Sequence, residues 1–310
     1  MEPLPVLRVD RDGRTAEFHG SWYRGPTTNF IPSKADLRDP DAVDRFVLHG
    51  WAPARPVVTK QQRLLAFGSC FAVHVTDYLS ERGFHVLGRD LTLTSHVIRC
   101  GEGMVNTFAI RQQFEWALAG RHIPDGLWFS EHKEICAVDP AIQAETRETI
   151  LSADAFILTL GLSEIWYDKR NGEVLWRAVP THLFDESTHG FRVSSAEENY
   201  ENLASIRTLI RAVKPTAPII LTLSPVPLMA TFRPVSCLTA SSVSKAILRV
   251  AIDQLMRAFP DDPALLYFPA YEIVKEFFAD AYQEDNRHPK PEIIDFVMQT
   301  FARSYCETPA

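Results

Sequence analysis

No stretch of this chain approaches the roughly 20 consecutive apolar residues that a membrane-spanning helix needs. Candidates such as Ala217 to Leu223 are of strand size, and Pro218 interrupts that one. The first ten residues, Met-Glu-Pro-Leu-Pro-Val-Leu-Arg-Val-Asp, have neither a basic nor an apolar leader region, so no secretory signal is expected. Cysteine is sparse and scattered. The five, at positions 70, 100, 136, 237 and 306, are odd in number and form no C-x-x-C pair. That pattern signals neither a disulfide framework nor a zinc site, and a reducing cytoplasm is the expected setting. Positive charge is in deficit, with a net charge of −7 and a pI near 5.8. A nucleic-acid backbone needs a basic patch, so it is not an expected partner, and neither is a membrane. Internal repeats and low-complexity tracts are absent.

What is present is ordinary globular material: 310 residues, 46% hydrophobic and 23% charged. That length suits one large α/β domain or two small ones. Residues 1 to about 60 are rich in Pro, Asp and Arg, with Trp22, Tyr23, Phe30 and Trp51 scattered among them. They are expected to form an arm of little regular structure packed on the main domain, 61–310, with a short helix at Asp41 to Leu48. Beyond it, apolar strands and amphipathic helices alternate. Strands are expected at Arg63–Phe67, His85–Leu87, Ala155–Leu160, Pro218–Leu223 and Ala264–Phe268. Helices are expected at Ala72–Arg82, Gly103–Ala119, Ala246–Phe259 and Pro291–Tyr305, and one opens at the capping box Ser195-x-x-Glu198. Largely apolar strands alternating with helices indicate an α/β fold whose parallel sheet is covered on both faces. Two segments, Gly88 to Asp154 and Leu162 to Ser194, exceed ordinary loop lengths and read as insertions, lids or substrate walls.

The most informative segment is Phe67-Gly68-Ser69-Cys70-Phe71-Ala72, where a short apolar strand gives way to a helix. A serine there sits at the C-terminal edge of a sheet, where open α/β folds bind ligands. It is also near helix N–H groups able to stabilise an oxyanion. A second segment, Glu284-Asp285-Asn286-Arg287-His288-Pro289, sets an acid three residues before a histidine. Asp285 could hold the His288 tautomer and His288 could serve Ser69 as general base. Each segment also has a plain reading as turn chemistry, since Gly, Ser, Asp, Asn and Pro all favour turns.

Taken together, and with Asn106-Thr107-Phe108, Thr159-Leu160-Gly161, Ser224-Pro225-Val226-Pro227 and Tyr267 to Glu272, the chain resembles the GSCFA family from about Arg63 to about Phe301. Through that family it resembles the SGNH/GDSL hydrolases. The resemblance implies a three-layer α/β/α fold on a five-stranded parallel sheet in flavodoxin-like order. It implies a carboxylic ester hydrolase with a catalytic triad of Ser69, Asp285 and His288, without cofactor or metal. The substrate it suggests is a small-molecule or glycan ester, the reaction removal of an O-acyl (acetyl) group from a carbohydrate. An O-acyltransferase acting on a glycan and a carbohydrate-binding pseudoenzyme are the alternatives.

For the oxyanion and substrate site the candidates are Asn106, Gly161, Ser163 and Glu164. Thr159-Leu160-Gly161-Leu162-Ser163-Glu164 aligns with a Gly-x-Asn-type turn in which Ser163 stands in place of asparagine. A hydroxyl donates one proton where an amide donates two. Loss of one oxyanion donor costs about 3 kcal/mol. Cys70 is the lesser nucleophile candidate, and its thiol reads as an apolar filler. His182, Asp185 and His189 lie in a polar segment and are assigned no metal. Oligomeric state is not legible.

Overall fold

The computed structural model describes residues 6–11, 14–19, 28–68, 70–89, 104–129, 132, 134–136 and 138–307. By internal contacts the chain divides into two units, Met1–Phe46 and Val47–Ala310.

The first unit carries an antiparallel hairpin, β1 (Val6–Arg11) and β2 (Arg14–His19), and a short helix, α1 (Ala42–Phe46). Arg8 lies opposite Glu17 and its Nε donates to the carboxylate at 2.7 Å. The hairpin is a correction to the expected irregular arm. Leu7 and Val9 alternate with Arg8 and Asp10, and Ala16 and Phe18 with Glu17 and His19, a period-2 strand signal that the neighbouring Pro and Asp obscured.

The second unit contains β3 (Arg63–Gly68), α2 (Cys70–Glu81), β4 (His85–Val86), α3 (Thr107–Ala119) and α4 (Pro140–Ser152). Next come β5 (Ala155–Leu160), β6 (Glu164–Asp168), β7 (His189–Val193), α5 (Ala196–Val213) and β8 (Ile219–Leu223). The unit closes with α6 (Cys237–Ala258), β9 (Leu265–Tyr267), the turn α7 (Ala270–Glu272) running into a π-helical turn at Ile273–Phe277, and α8 (Pro291–Tyr305).

Five of these strands form one parallel sheet in the order β4-β3-β5-β8-β9, the flavodoxin-like arrangement. Its central strands β5 and β8 are buried at every position, which is why they read as unbroken apolar runs. Leu65, Phe67, Phe156, Leu158, Leu221 and Leu223 share one core with Phe114 of α3, Ile206 of α5 and Leu248 and Ile252 of α6. Alternate residues, Leu64, Ala66, Ile157 and Ile220, are equally buried on the other face, where α2 packs on the sheet and on α8. The result is a three-layer α/β/α fold.

Residues just before the sheet are fastened by the last helix. Val58 bridges Cys306, the N–H groups of Val57 and Val58 donate to Tyr305 O, and the Trp51 ring meets Tyr267 edge-on at 5.2 Å.

Several boundaries differ from expectation. Helix α2 begins at Cys70 rather than Ala72. Helix α6 begins nine residues before Ala246, through a Ser- and Thr-rich stretch of modest helix propensity that tertiary packing overrides. The first long insertion holds α4 as well as α3, and the second holds the antiparallel pair β6–β7. Among the described residues, no helix is long and apolar enough to cross a membrane.

Candidate active site

The chain leaves β3, runs out to β4 at the sheet edge, and returns to pair β5 on the other side of β3. This reversal opens a crevice at the C-terminal ends of β3 and β5, the place where doubly wound sheets bind ligands. Strand β3 ends at Gly68 and α2 starts at Cys70. Ser69, between them, lies outside the described residues, as does the Cys70 side chain.

The second candidate segment forms a tight turn. Tyr282 bridges Pro289, Lys290 N–H donates to Ala281 O and Gln283 N–H to His288 O, both at 2.9 Å. Asn286 sits at its tip with φ of 52°, a left-handed conformation that asparagine tolerates better than most residues. The Tyr282 hydroxyl donates to Pro225 O at 2.9 Å and anchors the turn to the segment leaving β8. Burial pushes that phenol up to about 12, so it remains a donor at neutral pH.

Within the turn, Asp285 and His288 are paired. Asp285 Oδ2 lies 2.5 Å from His288 Nδ1, while Oδ1 accepts the backbone N–H groups of Arg287 and His288 at 3.0 Å each. The His288 N–H bond, then the ring bond and the Arg287 N–H bond, bring the Asp285 carboxyl down to about 2. A carboxylate so held fixes the imidazole with its proton on Nδ1 and its lone pair on Nε2. His74, in the second turn of α2, is close enough for the charge of His288 to act on it. Its pKa is lowered first by partial removal from water and further by that charge.

The Nε2 lone pair is occupied. Arg287 Nη1 lies 2.9 Å from it. The same arginine lines a cavity of about 340 Å³ whose wall also includes Asn106, Gly161, Glu164, Trp166 and Phe232. Three of the four expected oxyanion and substrate residues thus share one cavity with the neighbour of the dyad.

Their individual placements are more specific. Asn106 caps α3: its Oδ1 accepts from Ala109 N–H at 2.8 Å and its Nδ2 donates to Trp176 O at 3.2 Å. Gly161 donates its N–H to Val105 O at 2.9 Å. Glu164 is buried; its Oε1 accepts from Thr231 Oγ1 at 2.9 Å and lies 3.9 Å from Arg233 Nη1 without a hydrogen bond, and its Oε2 has no hydrogen-bond partner among the described residues. Ser163 is fully buried and turned away. Its N–H donates to Ser244 Oγ at 2.8 Å and its carbonyl accepts from Ser194 N–H and Oγ. The structure joins Ser163 to α6 and to Ser194, the residue after β7, not to the cavity wall. Trp176 is core, edge-on to Trp128 at 5.6 Å. His189 accepts from Asp185 N–H at 3.0 Å, and no group of three or more His, Cys, Asp or Glu able to hold a metal occurs among the described residues.

Lys245 of α6, 3% exposed, has no counterpart in the sequence reading. Its ammonium donates to Gly161 O at 2.7 Å and to Ser224 O at 2.8 Å, joining the segments that leave β5 and β8 behind the cavity. Lys245→Met keeps the apolar stem but removes these bonds from two carbonyls. A loss of about 2–3 kcal/mol is expected in urea unfolding at pH 7. An unchanged midpoint would show that the bridge is energetically idle.

The fold is that of a doubly wound α/β protein, with an Asp–His pair on a turn anchored to the segment leaving β8. The chain belongs to the GSCFA family, whose model matches residues 63–301. No curated protein matches it in sequence. Among solved structures it is similar to a carbohydrate esterase family 3 protein from Talaromyces cellulolyticus, at 10% identity and a TM-score of 0.40 over 78% of this chain and 95% of that one. It is also similar to a point mutant of an acetyl-xylooligosaccharide esterase from Geobacillus Stearmophilus, at 15% identity and a TM-score of 0.37 over 82% of this chain and 100% of that one. Likeness at that level assigns no chemistry.

Proposed function

We propose that this protein is a serine esterase of the SGNH type, with Ser69 as nucleophile, His288 as general base and Asp285 as its orienting carboxylate. The observation that carries the reading is the 2.5 Å contact between Asp285 and His288 Nδ1, on a turn that Tyr282 anchors to the segment leaving β8. That contact sets the tautomer a base needs, and β3 ends at Gly68 on the same side of the parallel sheet from which the segment holding Pro225 leaves β8. In the reaction, Ser69 attacks the ester carbonyl as its proton passes to His288 Nε2. The imidazolium then protonates the departing alcohol, and water releases the acid from the acyl-enzyme. An O-acyl group on a carbohydrate is the substrate we favour. Trp166 and the aromatic rings around it offer a stacking wall for a sugar, and the family resemblance points the same way.

Intact-mass labelling with a fluorophosphonate tests the nucleophile. The wild-type chain is expected to gain one adduct, and Ser69→Ala and His288→Ala to gain none. An adduct that persists in Ser69→Ala would remove the serine from its assigned role, and no adduct on either wild type or Arg287→Gln, which lacks the guanidinium on His288 Nε2, would remove the esterase reading.

A further inference from the structure

The contact between Arg287 and His288 sits awkwardly with a resting hydrolase. Nε2 has one lone pair, and a general base must offer it to the nucleophile's hydroxyl. Here the Arg287 guanidinium takes it at 2.9 Å. The arginine must therefore leave before His288 can accept a proton from Ser69. A guanidinium leaves a neutral acceptor most readily for a carboxylate, which it binds with stronger, charge-assisted and often bidentate bonds.

The surroundings suit that exchange. Arg287 lines the cavity, and its Nε has no hydrogen-bond partner among the described residues. Arg177 lines the same cavity. Among the described residues of the wall the one acidic side chain, Glu164, is already engaged by Thr231 and faces Arg233. Arg287 thus brings positive charge to the wall, favourable to an anionic guest. The remaining wall is mostly apolar, including Leu162, Ile165, Val226 and Phe191. A ligand with a flat or apolar body and one carboxylate matches both parts.

Resting on the esterase reading, we propose that Arg287 is a specificity residue: it latches His288 in the free enzyme and is drawn off by a carboxylate carried on the alcohol part of the substrate. The chemical class is an ester of a hydroxy acid, which includes an acylated uronic acid. Recognition of the anion then frees the base, so selectivity appears in turnover as well as in binding.

Two probes with similar leaving groups separate the charge from the chemistry: phenyl acetate, which is neutral, and 3-acetoxybenzoate, which carries a carboxylate at a position that cannot attack its own ester. Wild type is expected to prefer 3-acetoxybenzoate in kcat/KM by roughly tenfold or more. In Arg287→Gln that preference should vanish while kcat on phenyl acetate rises, because the latch is gone. Equal loss on both esters would overturn the latch and make Arg287 merely structural.

Calorimetry with 3-hydroxybenzoate provides a readout without turnover, with phenol as the uncharged control. Binding of the anion alone, weakened roughly tenfold or more in Arg287→Gln, supports the site even if no ester is cleaved. That pairing of results would sink the esterase reading and leave the anion site standing. Failure of wild type to prefer the anion over phenol would overturn the proposal whatever the fluorophosphonate shows.

Discussion

Replacing His288 with alanine is expected to lower kcat for ester hydrolysis by about 10⁵- to 10⁶-fold, with little change in KM. Losses of this size follow when the base of a serine hydrolase is removed, because nucleophile and base act as a unit. Asp285→Asn should cost less, about 10⁴-fold. The amide would offer N–H where the carboxylate offers an acceptor, and the ring would then carry its proton on Nε2, the wrong nitrogen for a base. The pH dependence follows from the same contacts. Three hydrogen bonds keep the Asp285 carboxyl at about 2, below its ordinary value. A depressed carboxyl contributes order above the usual carboxylate range and loses it as pH falls through about 2. Above that point Asp285 stays ionised, so a kcat profile between about pH 4 and 7 should show no inflection from its protonation. Asp285→Asn should lower the rate throughout that range, while the thermal midpoint at neutral pH changes little for so exposed a turn. A rate profile from stopped-flow hydrolysis of phenyl acetate measures both effects. If His288→Ala kept more than a tenth of the wild-type rate, the dyad would not be the base.

Much of this arrangement is legible in the sequence, and the illegible remainder has physical reasons. β5 and β8 declare themselves because burial on both faces demands apolar residues throughout. The capping box at Ser195 and Glu198 is a local, reciprocal pattern, and both of its bonds are present. The pairing of Asp285 with His288 is local too, since three residues of chain bring it about. Lys245 and Arg287 are different. Lys245 lies amid a polar helical stretch, and nothing near it in sequence shows that it points inward to two carbonyls 84 and 21 residues away. Arg287 reads as a turn-solvating residue, because its role depends on a cavity built from β6 and the segments after β5 and β8. Ser163 was the reverse case. Its motif position suggested the cavity, but its partner, Ser244, comes from α6 and turns it inward. Asn106 shows how one side chain can answer two patterns, since a helix N-cap and an oxyanion donor both call for a short polar group.

Gly68→Ala is expected to be among the most damaging single-methyl additions in the protein. Gly68 has φ of +132°, a conformation L residues rarely adopt. A Cβ there would lie 2.0 Å from Thr159 O and 2.2 Å from Thr159 Oγ1. Neither atom can retreat, because Thr159 is fully buried in β5, opposite Gly68 in the ladder. Strain and overlap together predict a loss of about 4 kcal/mol. For a unit of this size that is a fall in Tm of about 10 °C. Gly120→Ala is the control. It shares a positive φ, +68°, at the end of α3, but a Cβ there meets nothing within 4 Å, so only the conformational part remains, about 1 kcal/mol. Differential scanning calorimetry of the two variants separates collision from backbone strain. Equal shifts in Tm would show that β3 and β5 part easily, and that the close approach at Gly68 constrains nothing. The larger shift at Gly68 is expected because that approach brings the end of β3 against β5, so that position 69 follows directly from a point the ladder holds fixed. A methyl group at 68 must move the chain immediately before the proposed nucleophile, so fluorophosphonate labelling of the surviving folded fraction should be slowed as well.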